Sequence, residues 1–460
     1  MKEAVLLLAA LSSVTFIGWN VLRLMSGKNL RMSLPETIAV SYGFGVGFIS
    51  LEMLLFYSMG LNFMASHILL PWVIVIAANF VVRSRRPKVP APVPSAPCAS
   101  SWTKAMNVFL AGGIIFEIAY AFFRALIKPI ESYDAIAIYA IRSKIFFLAK
   151  SIPKDYFSSI AKLFPHADYP MNIQLFETFL YSAMGSLNDQ LVKIIFPLFF
   201  AAILCVFYFA VRRFAGRTYA LCFTFILASV PHFNNYATNA YLEVPLAFYI
   251  FVSGIFLLRW AEDNGSTPAL ILSAVAAALA GWTKNEGLMY CVIYAGLVFL
   301  TVASKLGKVS RKDIFNALLY SGIILCILLP WALIKSKWHI VNDEIALGNL
   351  NPANLFKQLH KLGPVFYELQ KQLFGPKKWN ILWPVFILVM LANYRKVIGF
   401  PQRYVGAVIL MALGGYALFY MISYVDVVFF ASKTWARFML DFLPLAVYLL
   451  AVTLKEDIKC

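Results

Sequence analysis

Charge is scarce in this chain of 460 residues: 13% are Asp, Glu, Lys or Arg, while 61% are hydrophobic. A soluble globular domain carries about 25% charged residues, so that class is excluded. Polar connecting chain is also scarce. Apolar runs of about twenty residues, the length of a membrane-spanning helix, recur from end to end. Acid is the rarer sign, 22 Asp+Glu against 40 Lys+Arg, for a formal net charge of +18. No compact basic domain carries the excess, so nucleic acid is the poorer explanation and anionic lipid headgroups the better one. Of six cysteines, Cys205, Cys222, Cys291 and Cys326 sit within apolar runs, and Cys98 and Cys460 in a linker and a tail. No spacing among them suggests a metal knuckle or a disulfide framework.

What is present is a succession of fourteen apolar segments between residues 4 and 453. They are too long and too continuously apolar for barrel strands, and lipid leaves helices as the other spanning structure. The expected fold class is all-α, a polytopic helical membrane protein of about 13 spans. The first segment, MKEAVLLLAALSSVTFIGWNVL, is long for a signal peptide and has no clear small-residue cleavage site, so it reads as a retained anchor.

Short loops rich in Lys and Arg stay in the cytoplasm, and they assign sides. Arg23, Lys28 and Arg31 place the first loop inside, and MGLNFMASH, without Lys or Arg, goes outside. RSRRPKVPAPVPSAPCASS returns inside, its prolines favouring an extended linker. Residues 127–171 then fall outside. Arg212, Arg213 and Arg217, then Lys305, Lys308, Arg311 and Lys312, then Arg395, Lys396 and Arg403 mark later inner turns. All assignments agree if residues 172–187, a short segment carrying Glu177, dip in without crossing. Such segments are tolerated where they are buried in protein or line a cavity. HADYP, just before that segment, is therefore expected at the lip of a cavity.

Five units follow: a three-helix N-terminal unit over 1–82, a Pro-rich cytoplasmic linker over 83–104, a transmembrane module over 105–335, an extracytoplasmic loop over 336–380 and C-terminal helices over 381–460. Both large outer loops carry amphipathic stretches suited to interfacial helices. One runs through Ile138, Ile141, Ile145 and Leu148 with Arg142, Lys144 and Lys150 among them, and the other through Phe356, Leu359, Leu362 and Phe366.

On this topology several polar motifs reach the outer side: ESYDAIAIYAIRSK with Glu131 and Asp134, HADYP with His166, Asp168 and Tyr169, NNYATNAYLEVP with Glu243, and GWTKNEG with Lys284, Asn285 and Glu286. Separated carboxylates converging there offer a general base and an electrostatic or metal-holding partner, and Lys284 and His166 offer contacts for phosphate. Glu52 and Glu117 lie mid-span without a motif around them, and read as buried hydrogen bonds between helices.

Taken in this order, the first-loop acid, HADYP before a short helix, YLEVP and KNEG resemble polyprenyl-phosphate-sugar glycosyltransferases of the C superfamily. The protein O-mannosyltransferases and the bacterial aminoarabinose transferase type are the most similar branches. The resemblance covers about 105–335, and ARFMLDFLPLAVYLL is similar to the Arg-and-Pro final helix of some members. It implies an inverting transferase that moves a sugar from a polyprenyl-phosphate carrier to an extracytoplasmic acceptor, a glycolipid, polysaccharide or protein. The expected location is the bacterial plasma (inner) membrane, with the site facing outward.

The matching positions imply Asp134 as the catalytic aspartate and Glu243 as the second acid. Some members pair Asp with Glu in the first loop, where this chain has Ala135. In an oxocarbenium-like transition state Asp134 would take the acceptor proton. Lys284 and Arg437 would neutralise the departing phosphate, with His166 and Arg142 as lesser contacts and Asp168, Tyr169 and Glu286 completing the donor site. Buried cations left unpaired are costly, so an incoming phosphate would account for them. Two separated acids fit a divalent metal or none. Plainer roles compete: Asp134 suits a helix N-cap, Glu243 a helix start before Pro245, Asp168 a turn, and Arg437 a headgroup anchor. The alternative function is a transporter or flippase of a lipid-linked or anionic substrate, which would place its charges near the midplane and show paired broken helices. No glycine-rich nucleotide loop is present, which argues against a cytoplasmic nucleotide-sugar enzyme.

Overall fold

The computed structural model describes residues 1–26, 32–84, 101–262, 266–305, 309–345 and 347–455. Lys28, Arg31, Lys308, Cys98, Cys460 and most of the 83–104 linker lie outside the described residues. The described chain is all-helical, 81% helix; one isolated antiparallel bridge, Ile345 to Ser423, is its only β pairing among those residues.

The chain begins with α1 (Lys2–Met25), α2 (Leu34–Ser58), α3 (Ala65–Ser84) and α4 (Ser101–Ile127). A π-helical turn, Ala135–Ala140, then runs directly into α5 (Ile141–Ala149). Next come α6 (Asn172–Met184), α7 (Asp189–Val192), α8 (Ile195–Arg212), α9 (Arg217–Ala228), α10 (Pro231–Tyr236), α11 (Glu243–Glu262), α12 (Thr267–Thr283), α13 (Asn285–Ala303) and α14 (Arg311–Lys337). The remainder is α15 (Pro352–Lys357), α16 (Leu362–Leu373), α17 (Pro376–Trp379), α18 (Leu382–Ala392), α19 (Tyr394–Val397), α20 (Gln402–Ile422) and α21 (Val427–Leu454).

Among the described residues nine helices are long and apolar enough to cross a membrane, which makes this an integral membrane protein. Local sequence sets several of their starts. Ser33 and Glu36 form a capping box at α2, as do Ser310 and Asp313 at α14, satisfying backbone N–H groups that the first turn leaves open. Burial sorts centre from rim: 94% of the apolar window of α11 is inside the protein, against 22% for α4 and for α14. The rim helices turn large apolar side chains outward, Val108, Phe109 and Phe116 on α4 and Leu318, Leu325 and Leu329 on α14. In water these would form an adhesive patch, and in lipid they are solvated.

Hydrogen bonds between connections gather the helix ends into two groups. At one end Glu3 accepts from Ser186 and Asn188, Phe63 donates to Lys150, and Asn380 donates to Ser229. At the other end Arg259 at the finish of α11 pairs with Glu36 at the start of α2, and Lys305 pairs with Asp313. Helix α6 has 13 residues, about 20 Å at 1.5 Å per residue. It falls short of a roughly 30 Å hydrocarbon core and is almost wholly buried.

The amphipathic stretch after Asp134 packs inward. Ile138, Tyr139, Arg142, Ser143 and Phe146 are buried while Leu148 is exposed, so Arg142 belongs to the covered face, opposite to what its charge suggested. Both mid-span acids make hydrogen bonds between helices, Glu52 accepting from Trp72 at 2.6 Å and Glu117 from Asn234 at 2.9 Å.

Candidate functional site

Five of the sequence-selected residues form one ionic network at the end of the bundle where α11 and α13 begin. Arg437 donates from Nη1 to Asp134 Oδ2 and from Nε to Glu243 Oε1, each at 2.6 Å. Lys284 Nζ lies 3.1 Å from the same Glu243 oxygen and 2.7 Å from Glu286 Oε1. Glu243 is fully buried, while the Asp134 side chain keeps 22% of its surface. Asp134 is therefore the acid a solute meets.

Local structure explains the placement. Asp134 immediately precedes the π-helical turn and Glu243 is the first residue of α11, with Pro245 two positions on, where its missing N–H costs nothing. Lys284 is the extended link between α12 and α13. Gly287 must follow, because a Cβ there would stand 2.0 Å from the Ala280 carbonyl oxygen. KNEG is thus a turn so tight that its fourth residue touches the preceding helix. Arg437 is supplied by α21, its guanidinium 4.8 Å above the Tyr241 ring. Tyr139 closes the network from the first loop, its buried hydroxyl without a hydrogen-bond partner among the described residues.

Three carboxylates surround two cations here, so each cation is paired within the protein, with one carboxylate in excess. Lys284 and Arg437 do not stand as unpaired cations awaiting a phosphate, as the sequence suggested, since unpaired burial costs more than pairing. Among the described residues no hydrogen bond uses Arg437 Nη2, which leaves that amine for a ligand.

His166, Asp168 and Tyr169 form an adjoining cluster. His166 Nδ1 is 3.0 Å from Asp343 Oδ1, and its backbone N–H donates to Asp343 Oδ2 at 3.1 Å. Its ring stacks on Tyr169 at 4.6 Å, and Tyr169 stacks in turn on Tyr139 at 6.4 Å. Asp168 Oδ2 accepts from Asn285 at 2.6 Å and Asn342 at 2.8 Å. Asn285 therefore ties this cluster to the KNEG turn. His166 has φ +58°, a left-handed backbone unusual outside glycine. Arg142 holds it there by donating to the carbonyls of Pro165 and His166. Arg142, expected as a phosphate contact, is fully buried and donates from Nη2 to these carbonyls, while its Nε and Nη1 have no hydrogen-bond partner among the described residues.

Burial disfavours the His166 cation, but the hydrogen bond with Asp343 and the charges of Glu344, Asp343 and Asp168 outweigh it and raise its pKa above 6.5. The same hydrogen bond holds Asp343 down at about 2. Burial raises Asp168, and the Asn342 and Asn285 hydrogen bonds offset part of that.

Asn342, Asp343, Glu344 and Asp441 were not singled out from the sequence. The first three were hidden in a loop read for its amphipathic pattern. Asp441 had a usable signal, an acid one turn beyond Arg437 in an otherwise apolar run; it accepts from Tyr416, which lies 3.3 Å from Tyr290.

A cavity of about 800 Å³ lies away from HADYP, between α1, α2, α4 and α8, and is walled by groups such as Phe16, Trp19, Tyr42 and Leu198, without a charged side chain. Comparison with protein-family models, with curated proteins and with solved structures finds no match to this chain.

Proposed function

We propose that the protein is an inverting glycosyltransferase of the polyprenyl-phosphate-sugar-dependent C superfamily, protein O-mannosyltransferase or aminoarabinose transferase-like, acting at the extracytoplasmic face of a bacterial inner membrane. The single observation that supports this is the network joining Asp134, Arg437, Glu243, Lys284 and Glu286. It draws on four distant parts of the chain and leaves one acid at the surface.

In this reading Asp134 accepts the acceptor proton as the glycosyl–phosphate bond breaks, and the leaving phosphate is met by Arg437 with Lys284 behind it. The phosphate competes with Asp134 for the guanidinium, so donor binding frees the carboxylate for its role as base. Glu243 and Glu286 hold both cations in place before the donor arrives. Where a divalent metal takes part, Asp134 and the His166 cluster are the oxygen and nitrogen donors nearest the opening.

In this reading the four shorter apolar helices cross together with the nine long ones, while α6, enclosed by protein on nearly every side, does not. The apolar side chains of Phe356, Leu359 and Phe366 are exposed while Val365, Glu368 and Gln372 of α16 are covered. That pattern suits an interfacial helix whose outer side meets lipid. A transporter would place its ionic site on broken helices at mid-membrane; here Glu243, Lys284 and Glu286 stand at helix ends.

The test is transfer from a panel of polyprenyl-phosphate sugars by purified protein in lipid, comparing wild type with Asp134→Asn. Turnover in wild type that is lost in the variant with donor binding retained is the expected result. Equal turnover in both removes Asp134 from the chemistry, and no donor consumed across the panel rejects the reading.

A further inference from the structure

His166, Asp168 and Asp343 each offer a ligand atom, and these atoms lie within 4.8 Å of one another. A hydrogen-bonded His–Asp pair explains two of the three. It does not explain Asp168, which is 3% exposed and whose Oδ1 has no hydrogen-bond partner among the described residues. Leaving a carboxylate oxygen dry and unmatched is costly, and a cation beside it removes the cost.

We propose that these three side chains form a divalent-cation site that fastens residues 338–345 onto the HADYP turn. Glu344 Oε1, 3.8 Å from His166 Nε2, stands outside this three-ligand set and adds negative charge beside it. The surroundings already hold the ligands in position. Asn285 and Asn342 clamp the other oxygen of Asp168, and Arg142 fixes the backbone that carries His166. Such outer partners orient metal ligands and sharpen affinity.

Charge points the same way, since Asp168, Asp343 and Glu344 gather three carboxylates with Lys335 as a nearby cation. One imidazole with carboxylates suits Zn²⁺ or Mn²⁺ better than Ca²⁺ or Mg²⁺, which favour all-oxygen sets. Metal–ligand bonds of about 2.0–2.2 Å require the group to draw in, exchanging the direct His166–Asp343 hydrogen bond for two bonds to the ion. This role is structural and does not rest on the glycosyltransferase reading.

The test uses full-length protein in nanodiscs, stripped with chelator and then titrated with Mn²⁺ followed by EPR, or with Zn²⁺ followed by calorimetry. Mg²⁺ and Ca²⁺ serve as comparators. Wild type and the exposed-loop control Asp155→Asn are expected to take up one ion per chain, and Asp168→Asn and Asp343→Asn to bind at least about tenfold more weakly. Hydrogen exchange of 338–345 in wild type is expected to slow with Zn²⁺ or Mn²⁺, a readout that needs no variant to fold. Absence of saturable uptake by wild type, uptake unchanged in both site variants, or exchange at 338–345 indifferent to the ion overturns the proposal.

Discussion

Arg437 bonds Asp134 and Glu243 at the same distance, 2.6 Å, yet the two acids stand in different surroundings. Glu243 is fully buried and shared with Lys284, whereas Asp134 is partly open. Glu243→Gln removes the acid that Arg437 and Lys284 share and leaves each with one carboxylate, Asp134 and Glu286, so the loss is expected to approach but not exceed that of a broken buried pair, about 3–5 kcal/mol. Asp134→Asn disturbs a partly solvated pair and is expected to cost at most about 1 kcal/mol. Thermal unfolding of both variants in the same lipid checks this, and equal losses would contradict the assignment of Glu243 as the organising acid.

The KNEG turn gives a steric prediction. A methyl at Gly287 meets the Ala280 carbonyl oxygen at 2.0 Å and the backbone nitrogen of Gly281 at 2.6 Å, atoms of a helix that cannot rotate away. Gly287→Ala must separate the starts of α12's last turn and α13, carrying Lys284 away from Glu243. The expected outcome is loss of transfer together with a clear fall in thermal stability. By contrast Gly296→Ala, where an added Cβ meets nothing within 4 Å, is expected to leave both unchanged. A Gly287→Ala protein with wild-type stability and turnover would show that the contact is not enforced.

The network was legible because each acid or cation at a helix end stood out against apolar sequence: Asp134, Glu243, Lys284, Glu286 and Arg437 could be read off as exceptions. Their pairing could not be read, since Asp134 and Arg437 are 303 positions apart and nothing local selects a partner. Arg142 misled for a related reason. Its charge suggested a phosphate contact, and the partners it has are the Pro165 and His166 carbonyls, backbone groups that no side-chain pattern reveals. The shortness of α6 was legible from the conflict it resolved. Asp343 was not, because one acid in a mixed polar loop has no period and no apolar contrast.

At the opposite end of the bundle, Arg259 and Glu36 form a buried pair remote from the site. Arg259→Met alone strands Glu36, and Glu36→Leu alone strands Arg259, so each is expected to destabilise by about 3–5 kcal/mol. The double variant removes both charges and is expected to recover most of that loss. Unfolding midpoints for the cycle measure the coupling; simple addition of the two losses would mean the charges are solvated independently. Donor binding, read on the same samples, is expected to stay at the wild-type level.

His232 supplies a pH dependence. Burial, with Lys378 nearby, pushes its pKa down to about 4 from 6.5, and its Nε2 has no hydrogen-bond partner among the described residues. Between those values the unfolded chain binds the proton more readily, so stability rises with pH through this window and is lost as pH falls toward 4. The ring packs 5.1 Å from Trp379, so the local effect is loosening of α17. Protection of the Lys377–Trp379 amides, taken as exchange relative to the intrinsic rate at each pH, is expected to be lower at pH 4.5 than at pH 7, values chosen within and above that window. His232→Gln is expected to erase the difference, and a difference that persists in the variant assigns it to another group.

Sidedness is the condition on which an extracytoplasmic transferase stands, and the helix ends make it testable without any substrate. Ser158 is exposed in the loop that carries HADYP, and Lys312 is exposed at the start of α14. The proposed topology puts these two positions on opposite faces. Basic loops are retained in the cytoplasm, which assigns Lys312 inward. In a cysteine-free background, Ser158→Cys is expected to react with a membrane-impermeant maleimide on intact cells. Lys312→Cys is expected to react only after the membrane is opened. The reverse pattern would turn the Asp134 network toward the cytoplasm, where the loop charges would have failed as a guide and a donor carried on the outer leaflet could not reach Arg437. Labelling of both on intact cells would mean that a shorter helix between them, α9 or α12, does not cross or that α6 does, and would break the span count between residues 158 and 312.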